Sequence, residues 1–259
     1  MMDMTMGRRG VVWKTPDITA DGLKIFACIA MLIQSIGIVV VERGMINLSQ
    51  YTRESLDQAL AGDSHLMMLA GIGSVMQIIG GMAMPVFTFL LVEGFRNTSS
   101  YKKYLLSVLA FALISEIPYD LAMNGKVLDF SSQNAMVSMV ICLIMLYALD
   151  LFKEKEGVTG GLLKLCAVFA AVVWAALLRT EYGLCLVFLT AVFDIFYTRN
   201  VLKTFLGIIV SLMYVTGPVA FYGIWCYNGI RKDKIPKYVY YAFYPVHLLV
   251  LGVIAKYVL

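Results

Sequence analysis

Charge and histidine are both scarce in this sequence. Only 15% of its 259 residues are charged and two are histidine, while 60% are hydrophobic; soluble domains carry roughly 25% charged and 45–50% apolar residues. The mean hydropathy is +0.80, and no polar stretch is long enough to fold around a core of its own, which excludes a separate soluble catalytic domain. The five cysteines (Cys28, Cys142, Cys166, Cys185 and Cys226) are odd in number, lie in or beside apolar runs and have no CxxC spacing. Neither a disulfide framework nor a metal site is indicated. The net charge of +4 is small, and the bases fall in short clusters between apolar runs. That pattern suits membrane topology and not nucleic-acid binding.

What the chain does have is long apolar runs, near 18–42, 66–95, 103–123, 133–152, 160–178, 182–198, 201–223 and 238–258. Crossing a hydrocarbon core of about 30 Å takes about 20 helical residues, and the backbone must satisfy its own hydrogen bonds there. The expected fold is therefore all-α, a polytopic transmembrane helical bundle of about eight spans in one domain over residues 1–259. The residues ahead of the first run are polar and basic (Arg8, Arg9, Lys14), and no small-residue cleavage pattern follows it, so it reads as an uncleaved span. The connection 43–65 has the apolar spacing of a short interfacial helix. Ala70, Ser74, Gly80 and Gly81 are small enough to let the second span approach a neighbour closely.

Basic residues recur on alternate connections, at Arg96, Lys102 and Lys103, at Lys153, Lys155 and Lys164, and at Arg199 and Lys203. With eight spans this places both termini in the cytoplasm of a multi-pass cell-membrane protein. One connection disagrees: Arg231, Lys232, Lys234 and Lys237 would lie outside.

An ionisable side chain at the bilayer centre costs about 2.5–3.5 kcal/mol on insertion scales, so each one in a span needs a partner, a water-filled cavity or a task. Lys24, Cys28, Met31 and Ser35 share one face of the first helix, with Gln34 beside it. Lys24 is equally well read as a side chain that snorkels to the surface. Pro85 permits a kink in the second span, and Glu93 closes that span either as a functional acid or as an interface residue. Glu116 and Asp120 are neighbours on one face, where two carboxylates repel unless one is protonated or a cation lies between them. His65 follows Asp63 and Ser64 at a span start and reads as a capping or interface residue. His247 lies inside the last span, either as a buried structural histidine or as a base, since no other in-span side chain has an unperturbed pKa near neutrality.

Seven blocks carry a resemblance. They are Leu23-Lys24-Ile25, the stretch from Pro85 to Phe95, Tyr104-Leu105-Leu106, Ile114 to Asp120, Thr180-Glu181-Tyr182-Gly183, Tyr227-Asn228-Gly229, and Tyr244-Pro245-Val246-His247-Leu248. In this order, and over nearly the whole chain, they resemble the TraX family. The resemblance implies a polytopic bacterial membrane protein whose named activity is N-terminal acetylation of conjugative pilin, related to membrane acyltransferases that draw on cytoplasmic acyl-CoA. There are departures. Where the family typically shows Asp-His in the first helix, this chain has Gln34-Ser35; Gln77 and Gly81 stand where arginines are frequent, and Met84 replaces a Phe.

Acyl transfer needs a base for the acceptor's proton and donors for the oxyanion. On this reading the catalytic candidates are His247, Glu116 and Glu93, and the substrate-binding candidates are Lys24, Gln34, Ser35, Tyr244, Asn228 and Arg231. Acetyl-CoA or another acyl-CoA is the expected cosubstrate, with no metal. The expected partners are the bilayer and a pilin or other envelope acceptor. A non-catalytic scaffold that kept the fold but lost the first-helix pair is the competing class, and a small ion transporter the third.

Overall fold

The computed structural model describes residues 17–229 and 234–258. The chain is all-helical, as expected, and its outward faces carry exposed apolar side chains such as Leu113, Phe169 and Leu177, as lipid requires. It is a multi-pass membrane protein, but among the described residues five stretches, and not the expected eight, are long and apolar enough to cross: Ala20–Met45, Ser64–Arg96, Tyr101–Asn124, Gly157–Leu177 and Lys237–Tyr257. The helices are α1 (Ala20–Met45), α2 (Arg53–Gly62), α3 (Ser64–Gly80), α4 (Ala83–Arg96), α5 (Tyr101–Asn124), α6 (Ala135–Leu151), α7 (Gly157–Leu177), α8 (Gly183–Ile195), α9 (Asn200–Ser211), α10 (Ala220–Trp225) and α11 (Lys237–Tyr257). Short polar residues start several of them by accepting from orphan backbone N–H groups: Thr19 for α1, Asp63 for α3, Ser100 for α5 and Asn134 for α6. Asp63 bonds the His65 N–H at 2.8 Å, so the cap is the aspartate and not the histidine. The short interfacial helix is α2, closed by a Thr52/Ser55 capping box. The run 66–95 is two helices, broken at Gly81 and Met82, and Pro85 sits in the first turn of α4, where its missing N–H costs nothing and no kink is needed. α1 widens to i→i+5 pairing over Ile36–Met45.

Contacts fix the direction of each element. At one end, called here the basic end, Asp21 accepts from the Lys234 N–H (2.6 Å) and the Tyr240 hydroxyl (3.0 Å), and Ile18 exchanges backbone bonds with Cys226 and Asn228. At the far end Arg43 donates to the Ala122 carbonyl (3.0 Å), and Gly252 of α11 lies against Leu121 and Ala122. Thus α1, α5 and α11 run parallel and α3–α4 returns between them. α6, α7 and α8 run between the basic end and connections set inside the bundle.

The expected span 201–223 does not cross. α9 and α10 are the arms of a hairpin whose turn reaches only Ile78 of α3, where the Thr216 hydroxyl bonds the Ile78 carbonyl, and whose second arm returns to Ile18. The physical reason is Gly217-Pro218: Pro218 offers no N–H, and Gly217 is pressed against the Ser211 backbone, where no Cβ would fit. Lys234 and Lys237 therefore lie at the same end as Lys24, Arg96 and Lys103, and the disagreement in the charge pattern disappears. The first and last described residues, Asp17 and Val258, lie at opposite ends of the bundle.

α3 packs on α1 through Gly73 and Gly80, with Glu42 over the first and Gln34 over the second, while Ser74 faces outward. Because a Cβ at Gly80 would overlap that of Gln34, Gly80→Leu should cost about 1–3 kcal/mol through overpacking, read as a lower thermal midpoint in detergent; an unchanged midpoint would refute this crossing. Single cysteines at Lys155 and Lys234, in a cysteine-free background, should label from the side opposite to those at Lys126 and Lys256. Labelling of positions 234 and 256 from one side would refute the hairpin.

Candidate functional site

A cavity of about 490 Å³ opens at the basic end. Its rim holds Lys24, Lys103 and Lys237 with the Asn97–Ser100 connection, and below the rim it is walled by Met31, Met84, Met136 and Met139 down to Ala135 and Tyr244. Methionine is unbranched and polarizable, so such walls adapt to a flexible apolar chain. Lys24 lies 3.7 Å from Asp21 and 5.0 Å over the Tyr240 ring, which aims its ammonium along the rim.

Polar groups tie down the cavity's floor. The Tyr244 hydroxyl accepts from the Ala135 N–H (3.3 Å) and donates to the Glu181 carboxylate (3.4 Å). Glu181 belongs to the α7–α8 connection, whose backbone pairs with the α5–α6 connection through the Glu181 N–H and the Gln133 carbonyl (2.8 Å). Asn134 bonds the Ala112 carbonyl (2.9 Å) and the Glu116 carboxylate, and Asp120 accepts from the Asp129 N–H (2.7 Å). Outside the helices, the Lys126 ammonium 3.0 Å away holds the half-buried Asp129 carboxyl below its usual range. Ala112 precedes the end of α5 at Asn124 by twelve residues, so the inner end of the α5–α6 connection at Asn134, which starts at the far end with Gly125, lies about 18 Å inside that end.

Beside the floor, Ser35 and His247 meet, 212 residues apart in sequence. His247 Nε2 is 3.1 Å from Ser35 Oγ and Nδ1 is 2.8 Å from the Phe243 carbonyl oxygen. A carbonyl only accepts, so Nδ1 carries the proton, Nε2 presents its lone pair and the Ser35 hydroxyl donates to it. Both residues are buried, at 5% and 6% exposure. Gln34, Ser35, Glu181 and Tyr182 line a second cavity of about 20 Å³ that shares Met31, Met84, Ala135 and Tyr244 with the larger one. The space suffices for about one water-sized group.

The family model described as "TraX protein" matches residues 19–255. The chain belongs to the TraX family. No curated protein matches it and no solved structure does. The match covers the TraX-type core from Thr19 to Ala255, and every residue of both cavities lies inside it.

Of the residues singled out in the sequence, Lys24, Gln34, Ser35 and Tyr244 line the two neighbouring cavities, and His247, which lines neither, is bonded to Ser35. Asn228 lies at the basic end, its backbone bonded to Ile18, and Arg231 lies outside the described residues. Glu93 sits in a separate cluster, taking bonds from Asn97, next to the turn where Arg96 pairs with Asp194 at 2.7 Å. Glu116 is occupied in holding Asn134. Lys103 at the rim and Glu181 under the floor were not singled out as site residues. Glu181 falls in a short connection and would ordinarily read as solvated; its only signal was the Thr180-Glu181-Tyr182-Gly183 block.

Tyr244→Phe removes the hydroxyl that joins Ala135 to Glu181, leaving a buried backbone donor and a carboxylate each short of one bond. The expected cost is about 1–3 kcal/mol, measured as a drop in thermal midpoint in detergent. No drop would mean that the floor is held elsewhere.

Proposed function

We propose that this TraX-family protein is a membrane acyltransferase that takes an acetyl or other short acyl group from acyl-CoA and passes it to a peptide amine, such as a pilin N-terminus, or to another envelope acceptor. The observation that carries this reading is the continuity of the large cavity, from a rim of three lysines through a methionine-lined shaft to Tyr244, beside the Ser35–His247 pair. The chemistry of an acyl-CoA is distributed in the same way. Its phosphates need cations and polar donors, its pantetheine arm needs a narrow passage, and its thioester needs a base and hydrogen-bond donors. Asn97, Thr98, Ser99 and Ser100 supply donors at the rim, and beside the inner end Gln34 lines the small cavity, with His247 behind Ser35.

The basic end is the cytoplasmic one in this proposal. Lys24, Arg96, Lys103, Lys155, Lys203 and Lys237 all fall there, as the positive-inside rule requires, and acyl-CoA is found on that side. The far end, with α2 and the Lys126–Asp129 connection, faces outward, and the inset connections bring that side close to the inner end of the cavity.

Purified protein should bind a CoA thioester, and binding should weaken as salt rises because phosphate contacts are screened. Reversing a rim charge, Lys103→Glu or Lys237→Glu, should weaken it about tenfold or more, the loss of one charge-assisted contact, measured by titration calorimetry in detergent. Undetectable binding at low salt, in protein that unfolds cooperatively, would sink this reading and leave the non-catalytic scaffold in its place.

A further inference from the structure

Direct transfer, with His247 deprotonating the acceptor, meets an obstacle in the geometry. The Nε2 lone pair that would take the acceptor's proton is already held by the Ser35 hydroxyl at 3.1 Å, and Nδ1 is held by the Phe243 carbonyl at 2.8 Å. A base hydrogen-bonded to a hydroxyl on one side and oriented by a fixed acceptor on the other is the arrangement that activates an oxygen nucleophile. We infer that Ser35 is a catalytic nucleophile that carries the acyl group between donor and acceptor as an ester. The inference rests on the acyl-CoA reading above and names a step within it.

The position of Ser35 supports this role. It lines the small cavity, which adjoins the inner end of the large one through Met31, Met84, Ala135 and Tyr244. In this inference a thioester at that floor reaches the serine by displacing Met31 and Met84, flexible side chains that both cavities share. In the first half-reaction Ser35 Oγ attacks the thioester carbonyl carbon and its proton passes to His247 Nε2. The carbon–sulfur bond then breaks, and CoA leaves as a thiol after taking the proton from the imidazolium. Phe243 accepts from Nδ1–H throughout, which stabilises the transient cation. The amide of Gln34, lining the same cavity, is the side-chain donor for the oxyanion. In the second half-reaction the acceptor amine attacks the ester carbon and gives up a proton to Nε2; the carbon–Oγ bond breaks and Ser35 regains its proton from His247. Donor and acceptor then need not occupy the site together, and a cavity of about 490 Å³ has to hold only one of them at a time.

The test is to mix purified protein in detergent with acetyl-CoA and no acceptor, quench in acid, and follow both thiol release and the intact mass. The wild type should show a burst of one thiol per chain and the mass of one added acetyl group, mapped by fragmentation to Ser35 and removed by alkali. Ser35→Ala should lose the adduct and slow thiol release roughly a hundredfold or more while CoA-thioester affinity stays within a factor of two. Ser35→Cys should capture the acetyl group as a thioester that neutral hydroxylamine cleaves, a change in lability that a merely structural serine would not produce. If the wild type consumes acetyl-CoA but forms no adduct on Ser35, and Ser35→Ala turns over at the wild-type rate, the nucleophile is overturned and the acyltransferase reading stands. If folded wild type neither binds nor consumes acetyl-CoA, the acyltransferase reading fails and this step with it.

Discussion

Inside hydrocarbon every backbone N–H and C=O must find a partner within the protein, and each one left unpaired costs several kcal/mol. Helices meet that demand along their length, but a connection cannot. Here the α7–α8 connection and the inner end of the α5–α6 connection lie well inside the bundle, and the buried polar side chains of the region are the ties that make this tolerable. Asn134 covers the Ala112 carbonyl, Asp120 covers the Asp129 N–H, Tyr244 covers the Ala135 N–H, and Ser138 donates to the Glu181 carbonyl. The carboxylates of Glu116 and Glu181 then anchor Asn134 and Tyr244. Because α6 and α8 can start so far inside, the space beneath them is floored by polar groups and not by solvent-facing loops, and a methionine-lined shaft ends on hydrogen-bonding chemistry.

The first helix shows how one element serves packing and chemistry in series. Over Ala20–Ser35 it is an ordinary α-helix, and its Lys24, Met31 and Ser35 look toward the cavities. From Ile36 the pairing widens to i→i+5, which changes the register of the face. Beyond that point the helix is devoted to contact: Gly37 lets Met76 in, and Arg43 reaches Ala122 across the far end. The change of register falls directly after Ser35, the residue that meets His247; such widened turns are frequent at functional positions.

Much of this could be read from the sequence, and what could not has physical causes. The all-α class, the capped span start beside Asp63 and the interfacial α2 depend on local spacing, which a sequence displays directly. Hydropathy, however, measures how deeply a segment partitions and says nothing of its direction, so a hairpin that enters and leaves at one end looks like a crossing. Gly217-Pro218 and the misplaced charges at Lys234 and Lys237 were the available signs of it. The gathering of Lys24, Ser35, Tyr244 and His247 was suggested by a family resemblance, whereas the contact between Ser35 and His247 spans 212 positions and no local pattern encodes it. Glu181 was passed over because depth in a membrane protein belongs to the helices, and a connection that turns back inside the bundle breaks that rule.

The hairpin has a consequence for how the chain is threaded into the membrane. Because α9 and α10 enter and leave at one end, the charges that flank them, Arg199 and Lys203 at the start and Lys234 and Lys237 after the return, stay together, and none of them has to be carried through hydrocarbon. From that end α11 takes the described chain to the other side, with Lys256 the charge that it delivers.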